Sequence, residues 1–122
     1  MSDDEQKMVD DLNNALDKMP KYEGNLQRSL YFNDDDAVKM FMQHYKVGET
    51  ITYKEFLSTT KGELYNPEGQ VQIFIQDAKN GRDISSINDA EQEVLYKNDS
   101  TFYVINIVEK DGVYYILLGE KE

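Results

Sequence analysis

The chain has no cysteine. That removes disulfide scaffolds, cysteine-based zinc sites and thiol nucleophiles from consideration. The absence suits secretion from a bacterium as well as a cytosolic life. Basic residues are scarce, with 13 Lys and Arg against 24 Asp and Glu, for a formal net charge of −11. Binders of nucleic acid or of anionic membrane surfaces need clustered cations, so both classes are disfavoured. No apolar run approaches the roughly 20 residues that a membrane-spanning helix needs. The opening Met1-Ser2-Asp3-Asp4-Glu5-Gln6 is acidic where a secretory signal is basic and then apolar. Either export follows another route or the chain is a domain of something larger. No internal repeat or low-complexity tract is visible. Histidine occurs once, as His44 at the end of a helical pattern, where it reads as a helix-end residue and not as a base or ligand.

What is present describes one globular domain. The 122 residues are 39% hydrophobic and 30% charged, enough for a sizeable core. Ser2 and Glu5 form a capping-box pattern ahead of Met8, Val9, Leu12, Ala15, Leu16 and Met19. That spacing predicts an amphipathic helix over 3–19, ended by Pro20, with its stripe laid on the core. A strand follows at 25–32. Asn33-Asp34-Asp35-Asp36 lacks the glycine and distal glutamate of a calcium loop, so it is read as the cap and acidic first turn of a helix over 34–46. A turn at 48–50 leads into the run 51–60, whose three hydroxyls at 58–60 suit a strand end, and shorter strands are predicted at 71–75, 92–96, 101–108 and 113–118. The last two are joined by the hairpin signal Glu109-Lys110-Asp111-Gly112. Helices first and short strands afterwards predict an α+β fold with a largely antiparallel sheet.

Three features carry chemistry. Arg28 falls on the same alternating face as Leu26, Leu30 and Phe32, where its charge must either snorkel past the core edge or meet an anion. Phe56-Leu57-Ser58-Thr59-Thr60 places hydroxyls in a row at a strand. Glu91 and Glu93 flank Gln92 just before Val94-Leu95-Tyr96. Were that run a straight strand, the two carboxylates would project together, roughly 7 Å apart at Cα. Such a pair suits acid/base work or the stabilisation of a developing cation. An exposed edge strand with two solvated glutamates is the plain alternative.

In that fixed order, the arginine, the serine motif and the Glu-Gln-Glu run resemble the arginine-serine-glutamate class of mono-ADP-ribosyltransferases, the exoenzyme family of bacterial toxins. The likeness spans roughly residues 16–108. It takes in Gly81-Arg82-Asp83-Ile84-Ser85-Ser86 before the carboxylates and Phe102-Tyr103-Val104 after them. The resemblance implies two roughly perpendicular antiparallel β-sheets with N-terminal helices and NAD in the cleft between the sheets. Arg28 would hold the NAD phosphates, and the Ser29 backbone would meet the nicotinamide carboxamide. Ser58 would orient Glu93, with Thr59 and Thr60 completing the motif at the NAD site. Tyr65 would lie near nicotinamide. Glu93 would contact the nicotinamide ribose and stabilise positive charge there, while Glu91 would orient and deprotonate the acceptor. A glutamate at the position of Glu91 goes with arginine as the target, and residues 84–90 would recognise the target protein. This chain departs from the family pattern with Ser29 where glycine is usual, Thr60 where serine is usual, and a reduced N-terminal helical part.

The expectation is therefore a single catalytic domain over 1–122. It would transfer ADP-ribose from NAD to an arginine of a target protein, with side NAD glycohydrolase activity. It would use NAD as substrate and no metal. It would act as a monomer, without nucleic acid or membrane, as a secreted or injected toxin or effector domain or as part of a phage protein. Two competing readings are a catalytically inactive relative serving as a binding or phage structural module, and an unrelated acidic interaction domain.

Overall fold

The computed structural model describes residues 3–61, 69–84 and 92–121. Its elements are α1 (Asp3–Asp17), β1 (Gly24–Leu30), α2 (Asp35–Met42), β2 (Thr50–Tyr53), β3 (Leu57–Lys61), β4 (Val71–Ala78), β5 (Arg82–Asp83), β6 (Glu93–Tyr96), β7 (Ser100–Lys110) and β8 (Val113–Glu120). The strands form one hydrogen-bonded series in the order β2-β7-β8-β4-β1-β3-β6-β5. All neighbours are antiparallel except β4 and β8, which run parallel from Val71↔Tyr114 to Gln76↔Gly119. Alternation explains the central strands. Val71, Ile73 and Ile75 of β4 and Ile116 and Leu118 of β8 are at most 2% exposed, and they carry the inner face.

The series has a weak joint. β1 and β3 share only the pairs Leu26↔Lys61 and Gln27↔Thr60. Beyond them β1 continues against β4, with Arg28↔Ile73 and Ser29↔Gln72. β3 meanwhile continues against β6, with Leu57↔Tyr96 and Ser58↔Leu95. A five-stranded part and a three-stranded part thus separate at one corner. They close onto one another through side chains: the Tyr96 ring of β6 meets Phe102 of β7 edge-on, with centroids 5.0 Å apart. Tyr96 Oη also donates to Glu120 Oε2 of β8 at 2.7 Å. Strands far apart in hydrogen-bonding order are therefore in contact, so the sheet is curled around its core.

α2 plugs one side of that core. Asp34 caps it by accepting from Ala37 N at 2.7 Å. Its apolar stripe faces the core as periodicity predicts, with Val38 buried, Met42 half-buried, and Phe41, also half-buried, packed between Phe32 and Tyr45. The regular helix ends at Met42 instead of 46, but the following turn still carries Tyr45 into the core.

α1 departs from expectation. It forms over Asp3–Asp17, yet of the predicted stripe only Leu16 is buried. Met8 is 72% and Leu12 37% exposed. The helix is held at its C-terminal end by polar contacts. Arg82 Nη1 donates to Met19 O at 2.9 Å, Lys97 pairs with Asp17, and Asn13 Nδ2 donates to Asn98 Oδ1. Ser2 of the expected capping box lies outside the described residues. The Asp111-Gly112 hairpin forms as predicted, with φ of +54° and +80° closing the Lys110↔Val113 pair.

Candidate active site

The carboxylate end of the site is built by strand pairing. Thr60 stands directly opposite Glu93, and Ser58 opposite Leu95. Ser58 and Glu93 are therefore diagonal neighbours on one face. Ser58 Oγ donates to Glu93 Oε2 at 2.5 Å, at the short end of the range for a hydroxyl bonding a carboxylate. On the opposite face Thr59 Oγ1 donates to Val94 O at 2.7 Å and is buried. That bond ties β3 to β6 beneath the pair. The entry to β6 is also set. Gln92 takes φ +46°, its carbonyl accepts from Lys61 N, and Ile84 N donates to Glu93 O.

Arg28 lies where the two sheet parts separate. On the inner face of β1 it has no strand neighbour on the β3 side, and its guanidinium spans the gap. Nη1 donates to Ser58 O at 2.9 Å, satisfying a carbonyl that β1 no longer reaches. Among the described residues no carboxylate pairs with Arg28. Its surroundings are phenolic. Tyr45 and Tyr53 share a hydroxyl contact of 2.5 Å. Burial, followed by its neighbour Tyr45, holds the Tyr53 phenol far above its ordinary range, while the Arg28 charge draws it partly back. Burial likewise raises Tyr45, opposed by the bond to Tyr53 and by Arg28. Arg28 faces a cavity of about 380 Å³ lined also by Thr52, Tyr53, Lys54, Glu55, Phe56 and Leu57. A guanidinium with no carboxylate partner among the described residues, at the wall of a cavity, is equipped to take a bidentate oxyanion.

Arg28, Ser58 and Glu93 are thus joined through one residue. Other expectations fare differently. Ser29, expected to offer its backbone, spends its hydroxyl on Gln72 Oε1 of β4 at 2.5 Å. Thr60 Oγ1 donates to Gln27 O at 3.3 Å, bracing the joint between β1 and β3. Thr59, expected at the NAD site, is 1% exposed with its hydroxyl committed to Val94 O, so its role here is to lock the strands. Tyr65, Glu91 and residues 85–90 of the expected recognition loop lie outside the described residues. β6 begins at Glu93 and Gln92 before it is left-handed, while the expected pairing of Glu93 with Glu91 falls on a residue outside those described. Tyr45 and Tyr53 were missed as site neighbours. The sequence signal for Tyr45 was its inward place in the helical pattern over 34–46, and Tyr53 closes β2.

Among the described residues no group of three or more His, Cys, Asp or Glu gathers to hold a metal ion. A slightly larger hollow, about 410 Å³, opens beside Tyr96, Ser100 and Glu120. The Glu120 carboxylate there already accepts from Tyr96 Oη, Lys79 N and Asn80 N, so it serves structure. The chemistry points to the Arg28 side.

No family model matches the chain. A curated Mycobacterium avium protein named as an NAD(+)–arginine ADP-ribosyltransferase, Mav, is 32% identical over 108 residues, which cover 84% of this chain and 12% of that protein. The fold is similar to that of the Clostridium limosum C3 exoenzyme, with a TM-score of 0.76 and 16% identity over 100% of this chain and 71% of that one. It is also similar to the Vibrio splendidus ADP-ribosyltransferase Vis, solved in complex with agmatine, with a TM-score of 0.73 and 19% identity over 98% and 59% of the two chains. The Pseudomonas syringae ADP-ribosyltransferase HopU1 aligns with a TM-score of 0.70 and 19% identity over 89% and 50%. At those identities the structures speak to fold, and the chain spans only a small part of the curated relative. With 32% identity to the Mycobacterium avium protein over 84% of its length, the chain belongs to the ADP-ribosyltransferase family.

Proposed function

We propose that this domain transfers ADP-ribose from NAD to an arginine side chain of a target protein, with hydrolysis of NAD as a side reaction. One observation carries the reading. Ser58 holds Glu93 through its hydroxyl and Arg28 through its carbonyl, so anion and cation are set in one frame. In the reaction the bond between the ribose anomeric carbon and nicotinamide breaks, and its electron pair leaves with nicotinamide. Glu93 faces the oxocarbenium-like centre and stabilises its charge, the service a preoriented anion performs in a partly dry site. Arg28 holds the pyrophosphate. An acceptor guanidine nitrogen then bonds to the anomeric carbon and gives its proton to Glu91, a role that rests on the family resemblance. Water in place of the guanidine gives hydrolysis. The Mav relative's name and the agmatine complex of Vis support arginine as the acceptor.

The domain would act within a secreted or injected toxin or effector, or on a phage particle. Proteins of similar fold include the Vis toxin and the Xanthomonas axonopodis type III effector XopAI, and among the described residues no helix is long and apolar enough to cross a membrane.

The test is nicotinamide release from NAD by purified protein, with and without agmatine, beside Glu93→Gln. Release that rises with agmatine and falls about 10²–10³-fold in the variant supports the proposal. Release that ignores Glu93→Gln overturns it. Glu91→Gln should abolish transfer to agmatine and leave most of the hydrolysis. Full transfer by that variant would remove Glu91 from the scheme.

A further inference from the structure

The gap that Arg28 spans has a second cation on its wall. Lys54, in the turn between β2 and β3, lines the same cavity of about 380 Å³. We propose that Lys54 is a second phosphate ligand, and that the Arg28–Lys54 cavity seats the pyrophosphate of the nucleotide. The inference rests on the proposed transferase reading and adds a residue to which neither motif nor relative assigns a role.

Charge drives the argument. A pyrophosphate brings two or more negative charges to a protein whose own net charge is −11, so the distant field opposes binding. The opposition must be overcome locally, within about the Debye length of 8–10 Å. Arg28 supplies one positive charge and has already given one N–H to Ser58 O. Its remaining donors can fork onto one phosphate. The same cavity wall carries Glu55, whose charge opposes an anion. Arg28 and Glu55 alone would leave the wall neutral. Lys54 tips it to net positive. As a flexible point charge on an exposed turn, Lys54 can follow either phosphate without the fixed geometry required of Arg28.

Tyr53 and Phe56 complete the wall. The Tyr53 hydroxyl is engaged with Tyr45, so the cavity offers an apolar ring surface beside the two cations. A nucleoside diphosphate matches that pairing of ring surface and positive charge.

The experiment is calorimetric binding of ADP, which carries the pyrophosphate but cannot react, at two salt concentrations. The expected result is binding by the wild type, weakened about threefold to tenfold in Lys54→Gln. Salt dependence should be shallower in that variant, affinity recovered in Lys54→Arg, and binding slightly tighter in Glu55→Gln. Equal affinity and equal salt dependence for wild type and Lys54→Gln would overturn the role of Lys54 while leaving the transferase reading intact. No ADP binding by the wild type, together with no nicotinamide release, would overturn both. Weakening in Lys54→Gln that Lys54→Arg does not recover, with unchanged salt dependence, would also overturn it, because a lost charge contact must show in both.

Discussion

The two ends of the site are held in place by different means. The Glu93 end sits within consecutive β3–β6 pairs, with a hydroxyl bond on one face and the buried Thr59–Val94 bond on the other. The Arg28 end sits where pairing stops. One hydrogen bond, two phenols and an open cavity surround it. Rigid pairing suits a carboxylate that must face developing charge without reorganising. A gap suits a cation that must admit a bulky anion. Ser58 belongs to both ends, so it lies between Arg28 and Glu93 in space as well as in sequence.

The contrast can be broken end by end. Glu93→Gln is the largest expected effect, the fall of about 10²–10³-fold in nicotinamide release given above, and it should appear in kcat. Arg28→Lys should chiefly raise KM for NAD, by about 10–100-fold, because a fork is replaced by a point charge and the Ser58 carbonyl loses its donor. Loss confined to kcat would place Arg28 in the chemistry instead. Ser58→Ala removes the hydroxyl and keeps the carbonyl, so it separates the two ends. The rate should fall roughly tenfold or more through misorientation of Glu93, with KM for NAD little changed. A matching rise in KM would mean that the ends are coupled through more than the Ser58 backbone.

A pH experiment probes the floor of the Arg28 end. Tyr45, Tyr53 and Tyr96 all have phenol pKa values raised, chiefly by burial. Their protonated forms are favoured in the fold, so this stability is fully present below the unfolded phenol value near 10 and is lost as pH rises beyond it. Thermal unfolding from pH 8 to 11 should show Tm falling above about pH 10, and Tyr53→Phe should lessen the fall. A flat profile would contradict the burial argument. The smallest effect is expected at α1, where Met8→Ser should change stability by no more than about 0.5 kcal/mol. A loss of several kcal/mol would show that its stripe is covered in solution.

The two helices show where sequence reading succeeds and where it stops. Both carry apolar stripes at helical spacing, and both form. α2 turns its stripe onto the core, where Val38 is buried and Phe32, Phe41 and Tyr45 pack ring to ring. α1 leaves Met8 exposed because the helix is anchored only at its C-terminal end, by buried Leu16 and by polar contacts near Asp17 among the described residues. Periodicity states which side chains could be buried, and it is silent on what stands opposite. The same limit explains Thr59 and Gln92. Hydroxyls in a row mark a motif, but strand pairing decides which of them faces the core. Two glutamates two apart imply a shared face only if the residue between them is extended, and Gln92 is not.

Composition and pattern alone determined the α+β class, the hairpin at Asp111-Gly112, the absence of thiol chemistry and the three motifs in order. These are local properties, set by side-chain chemistry and by periods of a few residues. Tertiary structure alone decided that β4 and β8 run parallel and that β1 parts from β3 just before Arg28. It also decided that Lys54 shares the wall of Arg28's cavity. Those depend on pairing between segments tens of residues apart, where many partners satisfy the same alternation and only simultaneous packing around one core selects among them.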